Sequence, residues 1–264
     1  MFGDEQLYAR LHRRSKTMAA EMAEAASKAG IPGEVFLDVG DSYAIFAGNG
    51  SPLTQGGGSF SSTELEAIQA FYSRHACGWE AIVTPFTSVD SFNRLLSLGA
   101  TAMNWETVLT RDLGDLPSED IGGGRFVEAE AGTLSVWSEV GRRGFFGEES
   151  NPVAEELARV LEHMTGYRRY IGYLDDEPAG AAAMSIRDGV VFLGGMATLP
   201  KFRRRGLQTA AIARRLRDAL GIADLATMGA VPGSSSQRNA ERLGFQVAWT
   251  QLSLYVPPTE IKTV

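Results

Sequence analysis

Apolar positions along the chain alternate between helical and strand spacing, and the elements follow from that rhythm. In residues 4–29, Leu7, Leu11, Met18, Met22 and Ala25 lie near helical spacing and Gly30 supplies a stop, which predicts a long amphipathic helix. Residues 34–38 and 42–47 read as two strands joined through Gly40 and Asp41. The stretch SPLTQGGGSF that follows holds three consecutive glycines. It has no Lys or Arg and lacks the Gly-Lys-Ser/Thr ending of a P-loop, so it reads as a flexible connector. Ser61 and Glu64 have capping-box spacing and open a helix through His75. A strand over 79–85, a short helix over 88–98 ended by Gly99, and a strand over 101–110 complete the first half.

GDLPSEDIGGG, residues 114–124, is polar, with Pro117 and three glycines, and divides the chain into 1–122 and 123–264. The second half opens with a strand over 125–130 and helices over 134–143 and 152–164, the latter with Asn151 as N-cap and Pro152 in its first turn. Residues 167–174 and 178–187 read as a strand pair turned at Asp175, Asp176 and Glu177. A buried strand over 190–193 then ends at Gly194 and Gly195, a pair that marks a bulge or a close approach to the backbone. Pro200 closes that segment, and Arg203, Arg204, Arg205 and Gly206 follow. Thr209, Ile212, Leu216, Ala219 and Leu220 carry a helix that Gly221 stops. A strand over 225–231, a Pro-Gly-Ser loop, a helix of SQRNAERL stopped by Gly244 and a strand pair within 245–256 end the sequence.

The order strand, basic turn, glycine, helix carries chemistry. A helix start presents unpaired N–H groups and the positive end of its dipole, and both attract phosphate. Gly206 allows close approach to the backbone, and three arginines can grip phosphate oxygens in forked pairs. The unit is a candidate pyrophosphate cradle; its plain alternative is an exposed basic loop.

A net charge of −7 argues against general nucleic-acid or anionic-membrane binding and makes the arginine cluster local. Cys77 is the only cysteine, which excludes an internal disulfide and a Cys-rich metal site, and three scattered histidines lack ligand spacing, so no metal is expected. No apolar stretch is long enough to span a membrane, and the first residues lack a signal-peptide core. The expectation is a cytoplasmic protein.

The two halves echo each other. Gly99 and Gly244, Pro85 and Ala230, and Ser61 and Gly206 all lie 145 residues apart, with the same element order around them. Such a domain-sized period suggests duplication. In the first copy Gly58, Ser59, Phe60 and Ser61 stand where the second has Arg203, Arg204, Arg205 and Gly206, so one ligand per chain is expected, in the second half.

Residues 125–256 resemble the GCN5-related N-acetyltransferase (GNAT) family. Its pyrophosphate loop, Arg/Gln-x-x-Gly-x-Gly/Ala, is matched by Arg203-Arg204-Arg205-Gly206-Leu207-Gln208, with Gln208 departing from the small residue. SSSQRNAERLGF resembles the family's second motif. The first half looks like a degenerate copy, as in tandem members. The resemblance implies two tandem α/β domains, each a mixed, mostly antiparallel twisted sheet flanked by helices. It implies acetyl-CoA in a splay between the strands at 190–199 and 225–231. Met196, Ala197 and Thr198 would hold the pantetheine arm; Arg203, Arg204, Arg205, Gly206, Leu207, Gln208 and Thr209 would cradle the pyrophosphate; Asn239 would sit near the pantetheine or thiol end.

The implied reaction is direct attack of a primary amine on the thioester. Many relatives carry a tyrosine four residues before the Gly-Phe turn to protonate the thiolate, but Ala240 stands there, so no catalytic residue transfers. Tyr167, Tyr170 and Tyr255 read as ordinary strand aromatics, and Trp137, Phe145 and Phe146 as core residues of a helix face. The acceptor is open among small amines, antibiotics, peptide N-termini and lysines. The alternative function is a non-catalytic CoA-binding or interaction protein, and the first half offers an interface for a homo-oligomer.

Overall fold

The computed structural model describes residues 3–114, 123–149 and 151–258. They form two compact units, neither of which is one continuous piece of chain. The amino-terminal unit comprises Gly3–Glu106, Arg159–Met164 and the chain from Trp249 onward; the carboxy-terminal unit is built on Thr107–Ala158 and Thr165–Ala248. Each unit is a mixed, mostly antiparallel sheet with helices packed on it.

In the amino-terminal unit, helix α1 (Glu5–Lys28) starts at Asp4, whose carboxylate accepts the Leu7 N–H at 2.8 Å. Strands β1 (Phe36–Val39), β2 (Ser42–Ile45), β3 (Gln55–Gly57) and β4 (Trp79–Val83) are neighbours in that order, and 252–256 of β11 (Gln246–Val256) lies beside β4. The β3–β4 pair is parallel and the rest are antiparallel. Helix α2 (Ser62–Arg74) connects β3 to β4 and α3 (Val89–Ser97) follows β4, in a unit whose core includes Ile45, Ile68, Phe71, Tyr72, Trp79 and Leu95.

The carboxy-terminal unit repeats the pattern. Residues 107–112 of β5 (Thr101–Asp112), then β10 (Leu225–Ala230), β9 (Val190–Thr198), β8 (Glu177–Arg187), β7 (Tyr167–Leu174) and β6 (Arg125–Glu128) lie side by side, with β9–β10 the parallel pair. Every residue from 179 to 185 of β8 is buried; because successive side chains point to opposite faces, both faces are covered. Helices α4 (Leu134–Phe146) and α6 (Leu207–Ala219) do the covering, and α7 (Ser235–Arg242) packs on α6 and β10.

Two expectations are corrected. The glycine run is not a loose connector. Gly56 and Gly57 belong to β3, where a Cβ would meet the Trp79 ring and the Tyr43 carbonyl at 3.0 Å, or the Tyr43 hydroxyl at 3.0 Å; the glycines make room for buried aromatics. The last strand pair is a single strand, β11, because Thr250 to Leu254 has no turn chemistry to break it. The compact units each take in a final strand by pairing that sequence spacing does not reveal: 107–112 with β10, and 252–256 with β4. Residues 115–122 of the linker lie outside the described residues.

Candidate functional site

The site grows from an irregularity in β9. Strands β8 and β9 turn at Asp188 and Gly189, both left-handed at φ 51° and 71°, which suits a two-residue hairpin. Ala183 faces Gly194 and Ala181 faces Ala197, so Gly195 and Met196 share the single residue Ala182. This is a β-bulge, with Gly195 at φ 60°, where the glycine pair anticipates one. On its other side β9 pairs with β10 only through Val190, Val191 and Phe192, opposite Leu225, Ala226 and Thr227. Beyond that point the two strands run on unpaired with each other. Met196, Ala197 and Thr198 therefore lie past the end of the pairing, where the β10-side edge of β9 is open.

After β9 the chain makes a 3-10 turn, Pro200–Phe202, anchored by buried Phe202. Residues 203–206 are exposed, with Arg204 at φ 62° and Gly206 at φ 82°. The three arginines are not equivalent. Arg203 Nε donates to the Thr198 carbonyl at 3.3 Å and its Nη2 to Gly144 at 3.4 Å, tying the loop to β9 and α4. Arg205 Nη2 pairs with Asp175 at 2.9 Å, in the β7–β8 turn. Arg204 has neither kind of bond among the described residues and remains free to meet an anion. A Cβ on Gly123 would come within 2.2 Å of the Arg205 carbonyl, so the chain leading into β6 lies directly against this loop.

Helix α6 begins at Gly206, which has no side chain to cap it. Its first internal bond is Ala210 N–H to the Gly206 carbonyl at 3.1 Å, so the N–H groups of Leu207, Gln208 and Thr209 have no acceptor within the helix. Gln208, the departure from the loop motif, donates to Ser236 Oγ at 2.6 Å and accepts the Asn239 amide at 2.9 Å; Asn239 Oδ1 in turn accepts from Arg242 at 2.9 Å. The structure thus brings Asn239 to the start of α6, fixed in a polar chain that fastens α7 to it. Ser234 caps α7, accepting the Gln237 N–H at 3.2 Å.

The alternatives to the missing tyrosine are placed as follows. Ala240 is fully buried. Tyr170 is buried and donates to Asp218 Oδ2 at 2.8 Å; burial, then the adjoining carboxylate, pushes its pKa well up. Tyr255 lies on β11 in the other unit. Trp137 is in the core, as expected, whereas Phe145 is 59% exposed because the helix turns its last residues outward. Arg215 is the residue that sequence reading missed: fully buried on α6, it binds the carbonyls of Ala183 and Gly194. Its position between Ile212 and Leu216, on the apolar face, was the signal.

Residues 137–245 match the model of the acetyltransferase (GNAT) family. The matched segment contains the bulge, the basic loop, α6, β10 and α7, every part of the site above. Among solved structures, a GCN5-related N-acetyltransferase from Kribbella flavida is 19% identical, with 92% of this chain and 97% of that one covered and a TM-score of 0.63. A functionally unknown conserved protein from Staphylococcus epidermidis is 10% identical, covering 84% and 93%, at 0.65. A tandem GNAT protein from the clavulanic acid biosynthesis pathway is 12% identical, covering 91% and 94%, at 0.54. At these identities the likeness is one of fold. No curated protein matches the sequence. No described helix is long and apolar enough to cross a membrane, and no group of three or more His, Cys, Asp or Glu side chains is gathered as for a metal ion among the described residues.

Proposed function

We propose that the second half, residues 123–264, is an N-acetyltransferase that moves the acetyl group of acetyl-CoA to a primary amine. The observation that carries this reading is the open start of α6. Gly206 caps it without a side chain, three N–H groups lack helical acceptors, and Arg204 stands free beside them. These are the donors a pyrophosphate needs. The GNAT match over the same residues supports it.

In this reading Arg204, Gly206, Leu207, Gln208 and Thr209 hold the pyrophosphate while Arg203 and Arg205 hold the loop itself. Met196, Ala197 and Thr198 present backbone groups to the pantetheine and acyl carbonyl, and Asn239 keeps Gln208 in place. The neutral amine attacks the thioester carbonyl; the C–N bond forms, the C–S bond breaks, and the amine's surplus proton leaves as the thiolate gains one. Acetyl-CoA is the acyl donor, no metal takes part, and the acceptor is a small-molecule or peptide amine. We assign no side chain as general acid.

Residues 1–122 are read as a degenerate copy without a cofactor loop. Ser61 stands 145 residues before Gly206, and the N–H of Ser61 at the start of α2 is already taken by Glu64.

The test is thermal unfolding with acetyl-CoA, comparing native protein with the double variant Arg204→Ala/Gly206→Glu. Ligand at a thousand times its Kd adds about 4 kcal/mol. A shift in the native protein alone supports the site, and no shift in either removes it. Release of CoA thiol that depends on added amine then separates an enzyme from a CoA-binding protein without turnover.

A further inference from the structure

We infer that Arg215 is a positioning residue for acyl transfer: its buried guanidinium holds the β9 bulge in the shape that parts β9 from β10. This rests on the acetyltransferase reading above.

Arg215 sits in the middle of α6 at 1% exposure. Nε donates to the Ala211 carbonyl one turn back at 3.0 Å, and Nη1 donates to Ala183 at 2.7 Å and Gly194 at 3.0 Å. All three partners are backbone carbonyls. A buried guanidinium is costly unless its donors are satisfied, and an apolar side chain of similar length would fill the space without that cost. Burial pulls its pKa down to about 10, so it stays charged at neutral pH.

The carbonyls it binds lie at the edge of the bulge. Ala183 and Gly194 are the last regular pair before Gly195 and Met196 crowd opposite Ala182. The carbonyl of Ala182 is taken by Trp137 Nε1 of α4, at 2.9 Å. Two helices thus fasten adjacent carbonyls of β8, and Arg215 fastens β9 as well. Without the guanidinium, the Gly194 carbonyl loses this bond and β9 is freed to straighten. Straightening moves Met196, Ala197 and Thr198. It leaves the start of α6 where it is, because that end is held by Gln208, Ser236 and Asn239.

The two parts of the site are therefore separable by hydrogen exchange of the full-length protein with and without acetyl-CoA. In native protein we expect acetyl-CoA to slow exchange at least tenfold both at 207–209 and at 196–198. In Arg215→Met, protection should persist at 207–209 and fall at least fivefold at 196–198, with recovery in Arg215→Lys. Equal protection of both segments in native and Arg215→Met overturns the inference, as does parallel loss at both. No protection in native protein at either segment sinks the acetyltransferase reading instead. Should Arg215→Met fail to fold, Arg215→Gln, which keeps a polar side chain but is too short to span both carbonyls, must give the same split; unchanged protection there overturns the inference.

Discussion

Glu64 Oε2 accepts the backbone N–H of Ser61 at 2.9 Å. The same carboxylate takes the hydroxyls of Ser59 at 2.6 Å and Ser42 at 3.2 Å, and the Asp41 N–H at 2.8 Å. At the start of α2 the protein supplies its own anion. At the start of α6, with Gly206 in the matching place, it supplies none. On the proposed reading, this contrast is what makes one half bind a phosphate ligand and the other not.

Glu64 should make stability depend on acid. Burial alone would raise its pKa, but the hydrogen bonds from Ser59, Ser61 and Asp41 outweigh it and bring the value down to about 2. A folded-state pKa below the unfolded one means stabilisation that is full above about pH 4.5 and fades as pH falls toward 2. Glu64→Gln should cost about 1–2 kcal/mol at pH 7, the scale of a lost charged cap. Denaturant unfolding should show the gap between variant and native protein narrowing as pH drops from 4.5 toward 2. A gap that is constant over that range would contradict the assignment.

The three arginines of the loop should separate on mutation. Arg204→Ala should weaken acetyl-CoA binding roughly tenfold with melting unchanged, since the side chain supports nothing else, at the scale of one charge-assisted bond. Arg203→Ala should weaken binding and also lower the melting temperature, because it removes the ties to Thr198 and Gly144. Calorimetric titration at two ionic strengths adds a check: removing Arg204 should flatten the salt dependence of binding.

Gln208→Ala should loosen α7 from α6 by deleting the contacts to Ser236 and Asn239. Asn239→Ala, by the same logic, should mimic it rather than add to it. A double-mutant cycle on acetyl-CoA affinity should therefore be non-additive by about 0.5–3 kcal/mol. Strict additivity would mean that Asn239 acts on the ligand independently.

Cutting the chain inside the 115–122 segment tests how the units are composed. A fragment ending there lacks the strand that pairs with β4, and one starting there lacks the strand that pairs with β10. Neither should unfold cooperatively by itself, as judged by circular dichroism on heating, while an equimolar mixture should. A cooperative transition from either fragment alone would show that its missing strand is dispensable.

Local chemistry was legible in the sequence wherever one short stretch held all of it. The Ser61–Glu64 capping box, the Asn151 N-cap, the bulge at Gly194 and Gly195, and the Gly206 helix start all depend on neighbours within a few residues. What sequence could not supply was the partner across space. Nothing in Gln246–Val256 says that its end pairs with β4, and nothing in three glycines says that Trp79 and Tyr43 press on them. Gln208 looked like a departure from a motif and is a tie between helices; Arg215, which the sequence reading passed over, is buried and bonded to the sheet.

The placement of 107–112 beside β10 has an evolutionary consequence. A duplicated gene usually leaves its spare copy free to decay or be deleted. On the proposed reading of the two halves as copies, the first half carries the strand that borders the second half's sheet, so deletion would injure the half proposed to do the chemistry. On that reading the first half is free to drift at loop positions such as Ser59 and Ser61, while its last strand is held by purifying selection on behalf of its neighbour. Substitutions should accumulate accordingly: freely in the loop before α2, sparingly in the last strand of that half.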